Sequence, residues 1–467
     1  MTSRAIRVGL RPGTALPTAF LGLALAVGVL ATHNVTYAVA AVVGAALLLL
    51  VASKVDALPL FLVLTMFTES VALGPGLRIG RFAAVMALAV VVFQLLAVGA
   101  RGLRMRPLLA VALGLGLWML ASALWAGDSG YVGTYLLHYL LAASYMLTFA
   151  LLVRTPPQLI QIFRVLALGA FVFGAFSFAG YVTSGSQYLA HGIGAVGLQG
   201  DHNYFATYQA FSLSAALLLA ALEQRPGRRF FWYAVVAVIA LSVVASLSRS
   251  GLLALIGAVL VTLALPWHFF FRRRSHKLAL VGALVVASVG VGLAGSTPFL
   301  QRAASIVQQP AVSGHGGSGR IDLWRAAWHG YSEHPYFGLG SGNFESSSVV
   351  LLQETPGTDI SAHYALGHYV VHNMYLETLT ELGPVGLGLL LAILVLAGRT
   401  CLGARRRARR LREREIELAS VALLVGLVAF AIGGVFLSIQ LNKPLWILIG
   451  LALSLEAMLA ARAPEET

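Results

Sequence analysis

Residues 371–383 read VHNMYLETLTELG, and residues 384–398 continue at once as PVGLGLLLAILVLAG. The second stretch is apolar apart from small residues, and with nearly all of the first it gives a candidate membrane helix over 372–397. The first stretch sets a histidine, an asparagine and two carboxylates, Glu377 and Glu381, at the mouth of that helix. A helix needs roughly 17–25 mostly apolar residues to cross a hydrocarbon core of about 30 Å. Runs of this kind recur near 15–31, 35–52, 57–73, 81–99, 107–125, 131–153, 160–183, 203–222, 230–246, 251–271, 277–295, 418–437 and 442–461. The chain has 467 residues, 58% of them hydrophobic and 11% charged, with a mean hydropathy of +0.84. A soluble domain is nearer about a quarter charged. Transmembrane strands would need alternating polarity in pieces of about ten residues, which the sequence lacks. The expected fold is an all-α polytopic membrane protein with about 12–14 transmembrane helices.

The net charge of +14 suggests nucleic acid until it is placed along the chain. With the N-terminus cytoplasmic, 25 of the 32 basic residues fall in inward connections, among them Arg101, Arg104, Arg106, Arg272, Arg273, Arg274 and the ARRRARRLRER stretch, 404–414. The positive-inside rule then sets both termini in the cytoplasm and accounts for the basicity without nucleic acid as a partner. The run at 15–31 follows RAIRVGLRPG like a signal peptide, but it leads through His33 and Asn34 straight into another span, so it is read as a membrane helix. Cys401 is the only cysteine, which leaves no intramolecular disulfide.

In this orientation residues 296–371 form one long outward loop, dividing the chain into a helix bundle (1–295), a loop domain (296–371) and C-terminal spans (372–467). Its aromatic residues argue for order. PFLQRAASIVQQ, GRIDLWRAAWHGYSEH and NFESSSVVLLQE read as short helices, the middle one with Arg320, Trp324, Ala327, Trp328 and Tyr331 on one face. Such a helix lies on the outer membrane surface or against the bundle. A glycine-rich outward segment, GSQYLAHGIGAVGLQGDHN (185–203), leads into the next span.

Outward positive residues run against the topology rule, so each needs a reason. Arg249, in SLSRSG, sits between two apolar runs; it is either a snorkelling or structural arginine or a guanidinium fork for phosphates. Arg320 opens its helix after SGHGGSG, where helix-start N–H groups favour an anion; the alternative is an ordinary solvated arginine. Arg302 is a weaker member of the same group, and Arg78, Arg81 and Lys443 read as interfacial anchors. His372 lies where the helix dipole disfavours an imidazolium, so its ring is expected neutral and able to accept a proton, unless it merely packs or caps. Asn373, Glu377 and Glu381 share a polar stripe better buried in protein than shown to lipid. HYVVH places His368 and His372 at a spacing that binds zinc on a helix, but no third ligand is evident, and neither a metal nor another cofactor is expected. GLGSGN (338–343) lacks the lysine of a phosphate loop and reads as a turn. His138 reads as a packed polar residue, while Glu69 and Asp201-His202-Asn203 are weak candidates for sugar contacts.

His372-Asn373-Met374-Tyr375-Leu376-Glu377-Thr378-Leu379-Thr380-Glu381-Leu382-Gly383 fits the pattern H-N-x-x-L-x-x-L-x-E-x-G, Ser248-Arg249 fits S-R-(S/G), and Gly319-Arg320 with Trp324 fits G-R-x-x-x-W. In this order, over roughly residues 200–385, the chain resembles the O-antigen ligase/polymerase superfamily, and its ligase branch in particular. The resemblance implies a GT-C-like membrane fold and a metal-independent inverting glycosyltransferase of the bacterial inner membrane, with its site facing the periplasm. It implies a glycan on undecaprenyl pyrophosphate as donor and a hydroxyl of lipid A–core oligosaccharide as acceptor. His372 would be the base, with Arg249 and Arg320 stabilising the departing pyrophosphate. Arg302, Asn373, Trp324, His202, Asn203 and Tyr375 would contact substrate. An O-antigen polymerase or a protein O-oligosaccharyltransferase would share donor and base and differ in acceptor. A lipid-linked oligosaccharide flippase or transporter also has twelve to fourteen spans, but gathers its charges at the bilayer midplane rather than at one surface.

Overall fold

The computed structural model describes residues 57–68, 72–74, 77–98, 106–190, 201–282, 320–358 and 367–462. The expected spans at 15–31 and 35–52, the helix at 297–308, and Glu69 and Arg302 lie outside them.

The described elements are α1 (Leu58–Thr65), a short antiparallel hairpin of β1 (Ala72–Gly74) and β2 (Leu77–Arg78), α2 (Ile79–Val98), α3 (Pro107–Ala121), α4 (Ser129–Leu152), α5 (Pro156–Ala190), α6 (His202–Leu222), α7 (Pro226–Ala245), α8 (Arg249–Ala264), α9 (Arg320–Glu333), α10 (Asn343–Glu354), α11 (Met374–Arg410), α12 (Arg414–Gly433) and α13 (Lys443–Ala460). Among the described residues nine helices are long and apolar enough to cross a membrane: α2 to α7 and α11 to α13. The chain is an all-α polytopic membrane protein, with one small hairpin among the described residues. Two expected spans are shorter than the hydropathy suggested. The run at 57–73 yields only the eight residues of α1, about 12 Å of helix, before the chain turns into the hairpin. The run at 251–271 yields the 16 residues of α8, because Pro266 stops it.

Proline and capping residues set most helix starts. Pro107, Pro226 and Pro444 occupy first-turn positions, where a missing N–H costs nothing. Asp128, Asp201, Ser248 and Asn373 cap their helices through side-chain oxygens. α6 is the central post, 89% buried, with α5, α7, α8 and α12 around it. α13 stands between α4 and α11, and α2 lies at the rim against α4. Rim helices present Leu96, Leu124, Phe176 and Phe230 outward, as lipid-facing surfaces do.

α9 and α10 form a small layer of their own around Leu323, Ala326, Ala327, Phe344, Leu351, Leu352 and Val371. This layer rests on α11. The buried face of α9 is Leu323, Ala326, Ala327 and Gly330 rather than the tryptophan face expected from the sequence. Trp328 is exposed, stacked on Tyr331 at 5.4 Å, while Trp324 turns inward.

α11 bends at Gly383, whose φ of +65° and ψ of −169° lie outside helical space, with Pro384 next. Proline has no N–H and its ring crowds the preceding turn, so carbonyls there lose their helical donors. Other groups take them up: Leu339 N–H donates to Thr380 O at 2.9 Å, Gly340 N–H to Glu381 O at 2.8 Å, and Trp118 Nε1 to Leu382 O at 2.9 Å. The GLGSGN stretch is therefore a turn, with Gly338, Gly340 and Gly342 all at positive φ, locked onto the bend. Gly342 N–H donates to the Glu381 carboxylate at 2.8 Å.

Candidate functional site

Four helix starts gather at the His372 end of the bundle. α6 begins after Asp201, whose Oδ1 accepts from the N–H groups of Asn203 (2.6 Å) and Tyr204 (3.3 Å). α8 begins after Ser248, whose Oγ accepts from Gly251 N–H at 3.1 Å and donates to Asn203 Oδ1 at 2.8 Å. That last bond ties the starts of α6 and α8 together. α11 begins after Asn373, whose Oδ1 accepts from Tyr375 N–H (3.0 Å) and Leu376 N–H (3.1 Å). α9 begins at Arg320. Each start carries the positive end of a helix dipole, about half an elementary charge. The stretch 434–442, between α12 and α13, completes the floor: Met374 N–H donates to Gly434 O at 2.8 Å and His372 N–H to Ser438 Oγ at 3.0 Å.

Arg249, Arg320 and His372 are brought into one electrostatic neighbourhood. Burial lowers the affinity of Arg320 for its proton most, and the charge of Arg249 adds to this; Asp201 and Tyr204 oppose it. Burial likewise lowers His372, to about 4, helped by the charge of Arg320 and opposed by Asp201. The ring is thus neutral at ordinary pH, and its Nδ1 is buried with no hydrogen-bond partner among the described residues. The backbone at His372 has a φ of +56°, and Leu247, two residues before Arg249, has +57°. Left-handed backbone at a non-glycine residue costs free energy and persists only where surrounding bonds impose it. At His372 they come from Glu377. Its carboxylate accepts from Val371 N–H (3.0 Å), from the Ser438 hydroxyl and from Gln440 Nε2 (2.6 Å). Ser438 in turn accepts from His372 N–H.

An arrangement of two guanidiniums, four helix starts and a neutral imidazole binds an anion and can take a proton beside it. Residues 233–391 match the family model described as O-antigen ligase, a range that contains Arg249, Arg320 and His372. Over this stretch the chain is similar to the O-antigen ligase/polymerase superfamily. The match supports an activity of the O-antigen ligase/polymerase type. No curated protein matches the chain.

The other expected substrate residues divide. Trp324 is half-buried, its ring 6.2 Å from Phe436, with Nε1 buried and lacking a hydrogen-bond partner among the described residues. Tyr375, half-buried, donates its hydroxyl proton to Ala431 O at 2.8 Å. The carbonyl oxygens of Asn203 and Asn373 serve Ser248 and the α11 cap. His202 is the first residue of α6, half-buried at the same end. His368 and His372 do not share a helical face, since 367–373 is not helical and His368 points to Glu345 O and Tyr131. Among the described residues no group of three His, Cys, Asp or Glu side chains could hold a metal ion.

Glu377 also lines a cavity of about 310 Å³, together with Arg78, Arg81, Tyr135, His138, Gln440 and Lys443. Lys443 is corrected from an interfacial anchor: it is buried, with its ammonium 5.7 Å from the Tyr145 ring centre. Sequence reasoning missed Ser438 and Gln440 altogether. Their only signal is an S-x-Q-x-N-K stretch of polar residues, 438–443, between two apolar helices.

Proposed function

We propose that the protein is a metal-independent inverting glycosyltransferase with a GT-C-like fold, acting as an O-antigen ligase. It moves O-antigen glycan from undecaprenyl pyrophosphate to a hydroxyl of lipid A–core oligosaccharide. It does so at the periplasmic face of the bacterial inner membrane, with both termini cytoplasmic. The observation that carries this reading is the convergence of Arg249, Arg320 and a neutral His372 on four helix starts.

In the step, the acceptor hydroxyl oxygen bonds to the anomeric carbon from the face opposite the leaving group, and the configuration inverts. The carbon–oxygen bond to the pyrophosphate breaks. The hydroxyl proton passes to His372, and the bonding electron pair leaves with the pyrophosphate. The negative charge that develops there meets Arg249, Arg320 and the helix dipoles, which are fixed in place before the reaction. Holding two membrane-bound substrates side by side supplies much of the remaining rate. Glu377 positions the base through Ser438 rather than touching substrate.

The test uses purified full-length protein, undecaprenyl-pyrophosphate glycan, and three acceptors offered separately: lipid A–core, a second lipid-linked repeat and a pilin-like protein. Product on lipid A–core alone supports the ligase; product on either other acceptor replaces it with a polymerase or a protein oligosaccharyltransferase. His372→Ala should lower transfer by about 10²–10⁴-fold. Arg249→Lys should also be severe, since a point charge cannot replace the planar fork. Full activity in His372→Ala rejects the base, and activity lost on exhaustive chelation rejects the metal-free step.

A further inference from the structure

A second cavity, of about 670 Å³, lies between α3, α11 and α13. Arg106, Arg399, Arg407 and Glu456 line it, above apolar walls that include Leu108 and Leu396. Arg399 follows Met374 by 25 residues of helix, about 37 Å at 1.5 Å per residue, so this cavity and the His372 site lie at opposite ends of the bundle. Arg106 forms an ion pair with Glu456. Among the described residues no carboxylate pairs with Arg399 or Arg407, which leaves the cavity with an excess of positive charge.

The surface of α11 shows what the cavity faces. Leu391, Val395 and Leu402 are exposed apolar residues on one stripe of the helix, and Arg399 falls on the same stripe one turn after Val395. Apolar side chains that end in an arginine match a lipid molecule, acyl chain first and headgroup last. Gly403, between the two arginines, leaves open space where a side chain would stand. We propose that this cavity binds the headgroup of an anionic glycerophospholipid. The phosphate lies between Arg399 and Arg407, whose planar forks suit its oxygens, and the acyl chains run along Leu391 and Val395. The cavity volume lies in the range of about 300–1,000 Å³ typical of small-molecule sites.

The experiment reconstitutes the full chain in nanodiscs of phosphatidylcholine with or without phosphatidylglycerol, and reads bound lipid by native mass spectrometry together with thermal stability. Neither readout depends on transfer activity. Phosphatidylglycerol should be retained several-fold over phosphatidylcholine and should raise the melting temperature. Arg399→Ala/Arg407→Ala should abolish both effects, and Gly403→Leu, which fills the space without changing charge, should do the same. Arg409→Ala/Arg410→Ala removes equal charge outside the cavity and should leave both effects intact. Unchanged retention in the first two variants overturns the site, as does equal loss in the third. Equal protection by soluble glycerol 3-phosphate in phosphatidylcholine discs overturns the assignment to a lipid.

Discussion

His372 combines three properties that rarely coincide at one residue: left-handed backbone, burial, and a ring atom without a partner. Burial first, and the charge of Arg320 second, bring its proton affinity down to about 4, against 6.5 in the unfolded chain. Between those two values the unfolded state binds more protons than the folded one, so stability rises with pH there. The contribution is complete above pH 6.5 and lost as pH falls through 4. Thermal unfolding of the wild type and of His372→Asn, followed across this window, should show a steeper acid loss for the wild type. Pyrophosphate beside Arg320 offsets the charge that disfavours the imidazolium. The acid limb of kcat should therefore lie at higher pH than that of kcat/KM, which reports the free enzyme. Coincident limbs would show that donor and ring do not interact. Glu377→Ala should lower kcat much more than Glu377→Gln, because glutamine can still accept from Ser438 and Val371 while Gln440 turns its amide. The sequence already displays His372, Asn373, Glu377 and Glu381 as a polar mouth on a greasy helix. The work of the two carboxylates was not legible, since their partners are Ser438 and Gln440, some sixty residues on, and Gly342, about forty residues back.

At the scale of the element, α11 is a bent helix whose bend is held by two distant segments, Trp118 and the turn at 336–342. Gly383 has φ of +65° and faces the Tyr336 carbonyl oxygen, so a side chain there meets both backbone strain and a collision. Gly383→Ala should cost about 1–3 kcal/mol of stability, read as a lower melting temperature in detergent. An unchanged melting temperature would show that the turn at 338–342 moves freely off α11. The Gly-Pro pair is visible in the sequence and marks the bend. Hydropathy cannot show that Trp118 and the GLGSGN turn satisfy the freed carbonyls. Hydropathy alone likewise misjudged α1 and α8, because a run of apolar residues gives no weight to a proline or a hairpin at its end.

At the scale of the whole molecule, the site exists because four helices start at the same place. Each cap is readable as a residue type, Asp201, Ser248 or Asn373, but their meeting is a property of topology. α8 approaches α6 closely enough that a Cβ on Gly251 would strike Ala206. Gly251→Leu should push the two helix starts apart, separate Ser248 from Asn203 and displace Arg249, so that activity falls further than the loss of folded protein explains. Equal losses of folded protein and activity would make Gly251 a packing residue only. The central claim is that one pyrophosphate sits between Arg249 and Arg320 with His372 beside the reacting carbon. The decisive measurement is a structure with undecaprenyl-pyrophosphate glycan bound. Phosphate oxygens are expected within ion-pair distance of both guanidiniums, with the His372 ring facing the anomeric carbon. A pyrophosphate lodged instead against Arg78, Arg81 and Lys443 would contradict it.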